Sequence, residues 1–263
     1  MIKKLLACFL CAAMSVTAIT GCSTTSSGKS TKGSSMYDAS KSEADYKQCL
    51  DDESGYKDMA NYTKPKDGEE IIVMKIADYG DVKIKLFPEL LPKACANFVG
   101  LAKKGYYDGL TFHRVIADFM IQGGDPMGTG RGGQSIWGAQ FDGGHSKYLN
   151  HVKGALAYAN SGSTSTDGSQ FYIVVGETYT DQLLTDTLSY YGKSLADLSD
   201  TVKKAYIDDG GTPFLDGNYT VFGQVFEGLD IVENICNNTE TDDSDKPVKD
   251  VIIEKVEVEN YKG

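Results

Sequence analysis

Arg114 stands in Phe112-His113-Arg114-Val115-Ile116, and Phe119, Met120 and Gln122 follow within eight positions. A guanidinium with rigidly placed donors, an aromatic ring, a thioether and an amide together suit gripping a peptide and favouring one charge distribution over another. They offer neither a nucleophile nor a proton acceptor. Alternation along an extended chain turns His113 to the face opposite Arg114, so His113 reads as structural.

The rest of the chain adds little further catalytic equipment. The histidines are His113, His145 and His151. There is no Gly-x-Ser-x-Gly elbow, and Ser161-Gly162-Ser163 reads as a turn. Paired carboxylates and His/Cys sets with metal-ligand spacing are absent, so no metal and no other cofactor is expected. Residues 128–133, GTGRGG, satisfy a phosphate-loop pattern in isolation. Asp125-Pro126 precedes them instead of a strand, Ser135-Ile136-Trp137-Gly138 follows instead of a helix, and Gln134 replaces the phosphate-binding lysine. The glycines therefore shape a loop.

One kind of reaction needs no acid, base or nucleophile. Rotation about an X–Pro bond is opposed by about 18–20 kcal/mol of amide resonance. Lowering that barrier takes an apolar cup for the ring, a donor that favours the pyramidal proline nitrogen, and polar groups that hold the flanking backbone. Bringing a tens-of-seconds event to milliseconds takes roughly 6 kcal/mol. A guanidinium in a desolvated site supplies about half of that.

The elements that must position these residues are mostly strands. Residues 71–76 and 82–86 read as a hairpin closed by Asp78-Tyr79-Gly80-Asp81. Short strands follow at 111–115, 120–122, 155–157, 171–175 and 221–225, with a closing strand at 251–258. Pro92 opens a helix over 94–104 that Gly105 stops, and a second helix runs over 228–237. The leucines from Leu183 to Leu198, with Val202 and Ala205, predict a pair of short helices inserted at about 178–211. The fold class is mostly β: a closed antiparallel eight-stranded barrel capped by two helices, plus that inserted helical segment.

Several separated stretches resemble one family. The 112–125 stretch, Leu156 to Asn160, Gly168 to Ile173, and Leu215-Asp216-Gly217 with Val221-Phe222-Gly223 are similar, in order, to the cyclophilin-type peptidyl-prolyl cis/trans isomerases. The likeness spans about residues 70–260 apart from the insertion. It implies an isomerase with no covalent intermediate. Arg114 and Gln122 would be catalytic. Phe119, Met120, Tyr172, Phe214, Leu215 and Tyr219 would surround the proline, and Gly128, Ala159, Asn160 and Gln170 would hold the rest of the peptide. The chain departs from the family pattern at four places. Phe214 stands where tryptophan is common, which puts tight cyclosporin binding in doubt. Tyr219 replaces a histidine, Tyr172 a phenylalanine, and Ala117-Asp118 a Pro-Gly pair. The Tyr172 hydroxyl must find a partner or face water. The sequence also permits a non-catalytic module that binds proline-containing segments of one partner.

The ends and the overall charge bound the setting. Lys3 and Lys4 precede an uncharged apolar run, residues 5–19, and Ile19-Thr20-Gly21-Cys22 resembles a bacterial lipobox. Residues 1–21 are expected to be a lipoprotein signal peptide. Cys22 is then the lipidation site, and each buried acyl CH₂ contributes roughly 0.8 kcal/mol to anchoring. Residues 22–66 read as a flexible tether and 67–262 as the isomerase domain. The expected location is the outer side of the cell membrane. There the protein, a monomer, would help secreted or surface polypeptides to fold. The formal net charge of −11 argues against nucleic acid as a partner. Cys49, Cys95 and Cys236 form no disulfide framework, though the sequence leaves a Cys49–Cys236 pair open.

Overall fold

The computed structural model describes residues 35–263. The expected signal peptide, Cys22 and the tether as far as residue 34 lie outside the described residues. The hairpin is formed by β1 (Glu70–Ile76) and β2 (Gly80–Leu86), paired from Ile71↔Lys85 to Ile76↔Gly80. Asp78 and Gly80 take positive φ in its turn, at 68° and 122°, which an aspartate and a glycine tolerate best. In β2, Val82, Ile84 and Leu86 point inward, as their alternation with polar residues requires.

The other strands are β3 (Arg114–Ile116), β4 (Met120–Gly123), β5 (Ala155–Tyr158), β6 (Phe171–Val174), β7 (Val221–Glu227) and β8 (Ile253–Asn260). They join the hairpin in one antiparallel sheet of order β3-β4-β6-β5-β7-β2-β1-β8. The eight strands are as expected, but the barrel is not closed. The sheet curls into a half-barrel whose edges, β3 and β8, share no ladder. The free side of β3 is occupied instead: Val115 N–H donates to the Asp245 carbonyl at 2.8 Å. On the free side of β8, the chain before β3 bonds to its first residue and to the residues just ahead of it, with Gly109 N–H on Ile253 O (2.8 Å) and Phe112 N–H on Val251 O (2.9 Å).

Two helices cover the sheet. Helix α1 (Pro92–Lys103) begins on Pro92, whose fixed φ suits a first helical position, and packs against β7 and β8. Its Phe98 ring meets Tyr107, Phe171 and Phe222 at 4.8–5.4 Å in the main core. A second helix, α4 (Leu229–Asn238), lies on β2, β3 and β4. The insertion holds α2 (Asp181–Tyr190) and α3 (Asp200–Asp208), labelled in chain order before α4. They share a small core of Leu184, Leu188, Val202, Ala205 and Tyr206 with Val152 and Tyr179.

The largest departure concerns residues 35–66, expected as part of a tether. They lie along the domain. Ala60 is fully buried, and its N–H donates to Tyr148 O at 2.8 Å. Asn61, 1 % exposed, donates from Nδ2 to Asn150 O and Gln224 Oε1 and accepts from Asn150 N–H, each at 3.0 Å. Asn61 is polar because its partners are buried polar groups of the domain, a property that composition cannot distinguish from solvation. Cys49 and Cys236 are both free. Cys49 is exposed, whereas Cys236 is buried on α4 against the Ile116 carbonyl, and burial pushes its thiol to about 11. A thiol so placed is inert.

Candidate functional site

Strand register assembles the site. Arg114 pairs with Gln122, Gln122 with Tyr172, and Tyr172 with Ala157, so one row across β3, β4, β6 and β5 presents these four side chains on one face. Met120, two residues before Gln122, shares that face.

The polar half of the row is a relay of amides. Arg114 Nη1 lies 3.4 Å from Gln122 Oε1, Gln122 Nε2 donates to Gln170 Oε1 at 3.0 Å, and Gln170 Nε2 donates to Gly132 O at 2.8 Å. On its other side, Arg114 Nε faces Asp245 Oδ2 at 3.5 Å. The guanidinium is thus held from two directions, with 17 % of its side chain exposed.

The apolar half is a cup. Phe119 and Phe214 lie near parallel with centroids 6.1 Å apart, and Met120 and Leu215 belong to the same buried cluster. Tyr172 meets Tyr219 edge to face at 6.0 Å. Burial pushes the Tyr219 phenol up, while the Arg114 charge pulls it down, which sets this ring near the guanidinium.

The Tyr172 hydroxyl does find a partner inside the protein. It lies 3.0 Å from Nε2 of the fully buried His151, whose Nδ1 lies 2.8 Å from Asp216 Oδ1. Asp216 also accepts the His151 N–H at 2.7 Å, Asn150 Nδ2 at 3.2 Å and the Tyr206 hydroxyl at 2.6 Å. Helix α3 of the insertion therefore reaches the cup wall through a chain of hydrogen bonds. Sequence reasoning gave His151 no role and used Asp216 only as part of a motif. A tyrosine expected in an apolar pocket was the available signal that a polar partner had to be near.

The remaining predicted residues lie in the segments that follow β4 and β5. Asn160 is 9 % exposed and engaged at both ends of its amide, by Asn218 O (3.3 Å) and Gly162 N–H (3.0 Å). Ala159 N–H donates to Gln170 O at 3.0 Å. Gly128 has φ of 61°, and its loop winds around the buried Asp125 carboxylate. Burial opposes ionisation of Asp125, but donors from Met127 N–H and Thr129 N–H, both 2.9 Å, hold its pKa below the ordinary value. The phosphate-like glycine pattern thus closes on the protein's own anion. His113 is buried behind Arg114, beneath Gly130 of the same loop, and burial holds its imidazole below the usual pKa. Asp118 takes φ of 58° in the β3–β4 turn and gives its N–H to Asn237 Oδ1 of α4 at 3.1 Å. Its place is thus explained by the turn.

A curled eight-stranded sheet bearing a guanidinium, an amide relay and an aromatic cup defines a class of peptide-binding isomerase, and comparison with known proteins agrees. The profile of the cyclophilin type peptidyl-prolyl cis-trans isomerases matches residues 71–258, and this chain belongs to that family. Relatives named as peptidyl-prolyl cis-trans isomerases include one from Staphylococcus haemolyticus. It is 45 % identical over 205 residues, covering 77 % of this chain and all of the relative. Another, from Staphylococcus aureus strain USA300, is 46 % identical over 206 residues, 76 % of this chain and all of the relative. The crystal structure of a Cryptosporidium parvum cyclophilin type isomerase superposes with a TM-score of 0.57 at 32 % identity, covering 73 % of this chain and 99 % of that one. The same protein crystallised in the presence of the dipeptide Ala-Pro gives 0.54 at 33 %. The protein is a peptidyl-prolyl isomerase.

Proposed function

We propose that the chain isomerises X–Pro bonds in exported polypeptides at the outer face of the cell membrane, to which Cys22 anchors it through lipid. One observation carries the catalytic half: the row Arg114–Gln122–Tyr172 sets a doubly held cation at the rim of an apolar cup. The pyrrolidine ring enters between Phe119, Met120, Phe214 and Leu215, releasing water from apolar surface. Twisting the amide localises the nitrogen lone pair, and the Arg114 guanidinium donates to it. Gln122 limits where that guanidinium can point. Gln170, Asn160, the Ala159 backbone and the turn at Gly128 fix the flanking peptide, which turns binding into orientation. No bond is broken. The Ala-Pro dipeptide used with the Cryptosporidium protein supports a dipeptide-sized proline site.

The extracytoplasmic half rests on the basic, apolar and lipobox-like start of the sequence and on the tract from Ser23, which is polar and rich in serine. Because residues 35–66 lie against the domain, only residues 23–34 are left to act as a spacer. Proline isomerisation of a peptide is expected to slow by about 10²-fold or more in Arg114→Ala, with binding less affected. Equal rates for the two proteins would replace the enzyme with a proline-peptide binding module. In cells, Cys22→Ser is expected to release the protein into the medium, and unchanged membrane retention would refute the anchor.

A further inference from the structure

The insertion carries, where α2 gives way to the segment before α3, a feature that its own folding does not need. Helix α2 closes with Lys193 N–H on Leu188 O (2.8 Å) and Gly192 N–H on Ser189 O (3.1 Å), and Gly192 is left-handed at φ 72°. This paired closure holds Tyr191, at the helix cap, in a set orientation. Leu184 and Leu188 root the helix in the insertion core, 0 % and 1 % exposed. Lys193 Nζ is hydrogen-bonded to the Asp216 carbonyl, which ties this corner to the loop that carries Phe214 and Leu215.

Tyr191 stacks on Phe214 with centroids 4.7 Å apart and planes 17° apart. Phe214 in turn lies along Phe119, and Tyr190 meets Tyr191 edge to face at 5.1 Å. Four aromatic rings thus run from the proline cup out onto the insertion. Exposure climbs along them, from 8 % at Phe119 and Phe214 to 40 % at Tyr191 and 59 % at Tyr190. Shielding Phe214 accounts for Tyr191 but not for Tyr190, which is left largely in water. Two solvated tyrosines continuous with a binding cup make an amphipathic contact surface of low conformational cost.

Resting on the isomerase reading, we propose that Tyr191 and Tyr190 form a specificity-determining shelf, which takes an aromatic or large aliphatic side chain flanking the client's proline. The insertion then selects substrates, because its outer rings continue the cup that holds the ring being rotated. The hydrogen-bonded path from Tyr206 through Asp216 and His151 to Tyr172 keeps the insertion and the cup in one register.

The test uses the purified full-length chain and two proline peptides that differ only in the flanking residues, alanine in one and phenylalanine in the other. The wild type is expected to favour the phenylalanine peptide in kcat/KM. Tyr191→Ala should lower that preference about three- to tenfold, Tyr190→Ser less so, and Tyr191→Phe should retain it. Tyr79→Ser, at the exposed β1–β2 turn, is the control and should leave the ratio as it is. An unchanged ratio in both Tyr191→Ala and Tyr190→Ser overturns the shelf. So does an equal fall for both peptides, which would make Tyr191 a prop for Phe214. A wild type inactive on either peptide overturns the isomerase reading and the shelf with it.

Discussion

Tyr172 and Arg114 each owe their usefulness to one neighbour that ordinary sequence inspection passes over. A buried hydroxyl without a partner would cost about 1–3 kcal/mol, and His151 removes that cost. Arg114 is guided by Asp245, whose carboxylate also draws on the charge that the proposed mechanism directs at the proline nitrogen. The pair is partly exposed, so its strength is about 1 kcal/mol at most. In Asp245→Asn the acceptor for Nε survives while the negative charge goes, and kcat/KM is expected to rise by up to about fivefold. Asp245→Ala loses the acceptor too and should lower it. Parallel steady-state measurements on the two variants decide this, and a fall in both would mean that the charge itself is required.

At the scale of elements, the site depends on register and on loops anchored by buried polar groups. Slipping β4 by one residue against β3 would turn Gln122 away from Arg114. The loop before β6 is held by Asp167, fully buried, whose Oδ2 lies 2.6 Å from Thr220 Oγ1 at the start of β7. The same hydroxyl lies 2.6 Å from the Gly144 carbonyl. One hydroxyl proton cannot fully serve two acceptors, and this crowding of acceptors around Thr220 favours the protonated form of Asp167. Burial, which pushes the Asp167 pKa well above its ordinary value of 3.8, agrees. The native state therefore keeps a proton that the unfolded chain releases. Its contribution to stability is whole below about pH 4 and is lost as pH rises toward the raised native pKa. Asp167→Asn, which keeps a donor, should gain on the wild type between pH 4 and pH 8 in urea unfolding. A constant difference across that range would show that Asp167 is ionised in the fold.

At the scale of the whole molecule, residues 35–66 make the folded unit larger than its strand pattern suggests. Asn61→Ala would strand the Asn150 N–H and Gln224 Oε1, both buried, at a cost of about 2 kcal/mol. The melting temperature should fall by roughly 4–8 °C, as scanning calorimetry would record. No change would mean that the segment only rests on the domain.

The hairpin, the β4 and β6 segments, α1 and the insertion helices were legible in the sequence because each is written in local periodicity and turn chemistry. The cup and the amide relay were legible only through resemblance, since Phe119, Tyr172 and Phe214 are far apart in the chain. What the sequence by itself determined was the set of strands and the helices that flank and interrupt them. Tertiary structure alone decided three things: that the sheet stays open, with β3 bonded to Asp245; that a polar N-terminal segment is part of the fold; and that the insertion's tyrosines stand beside the cup. The physical reason is common to all three. Each depends on which distant polar or aromatic group meets which, and such pairings leave no periodicity along the chain.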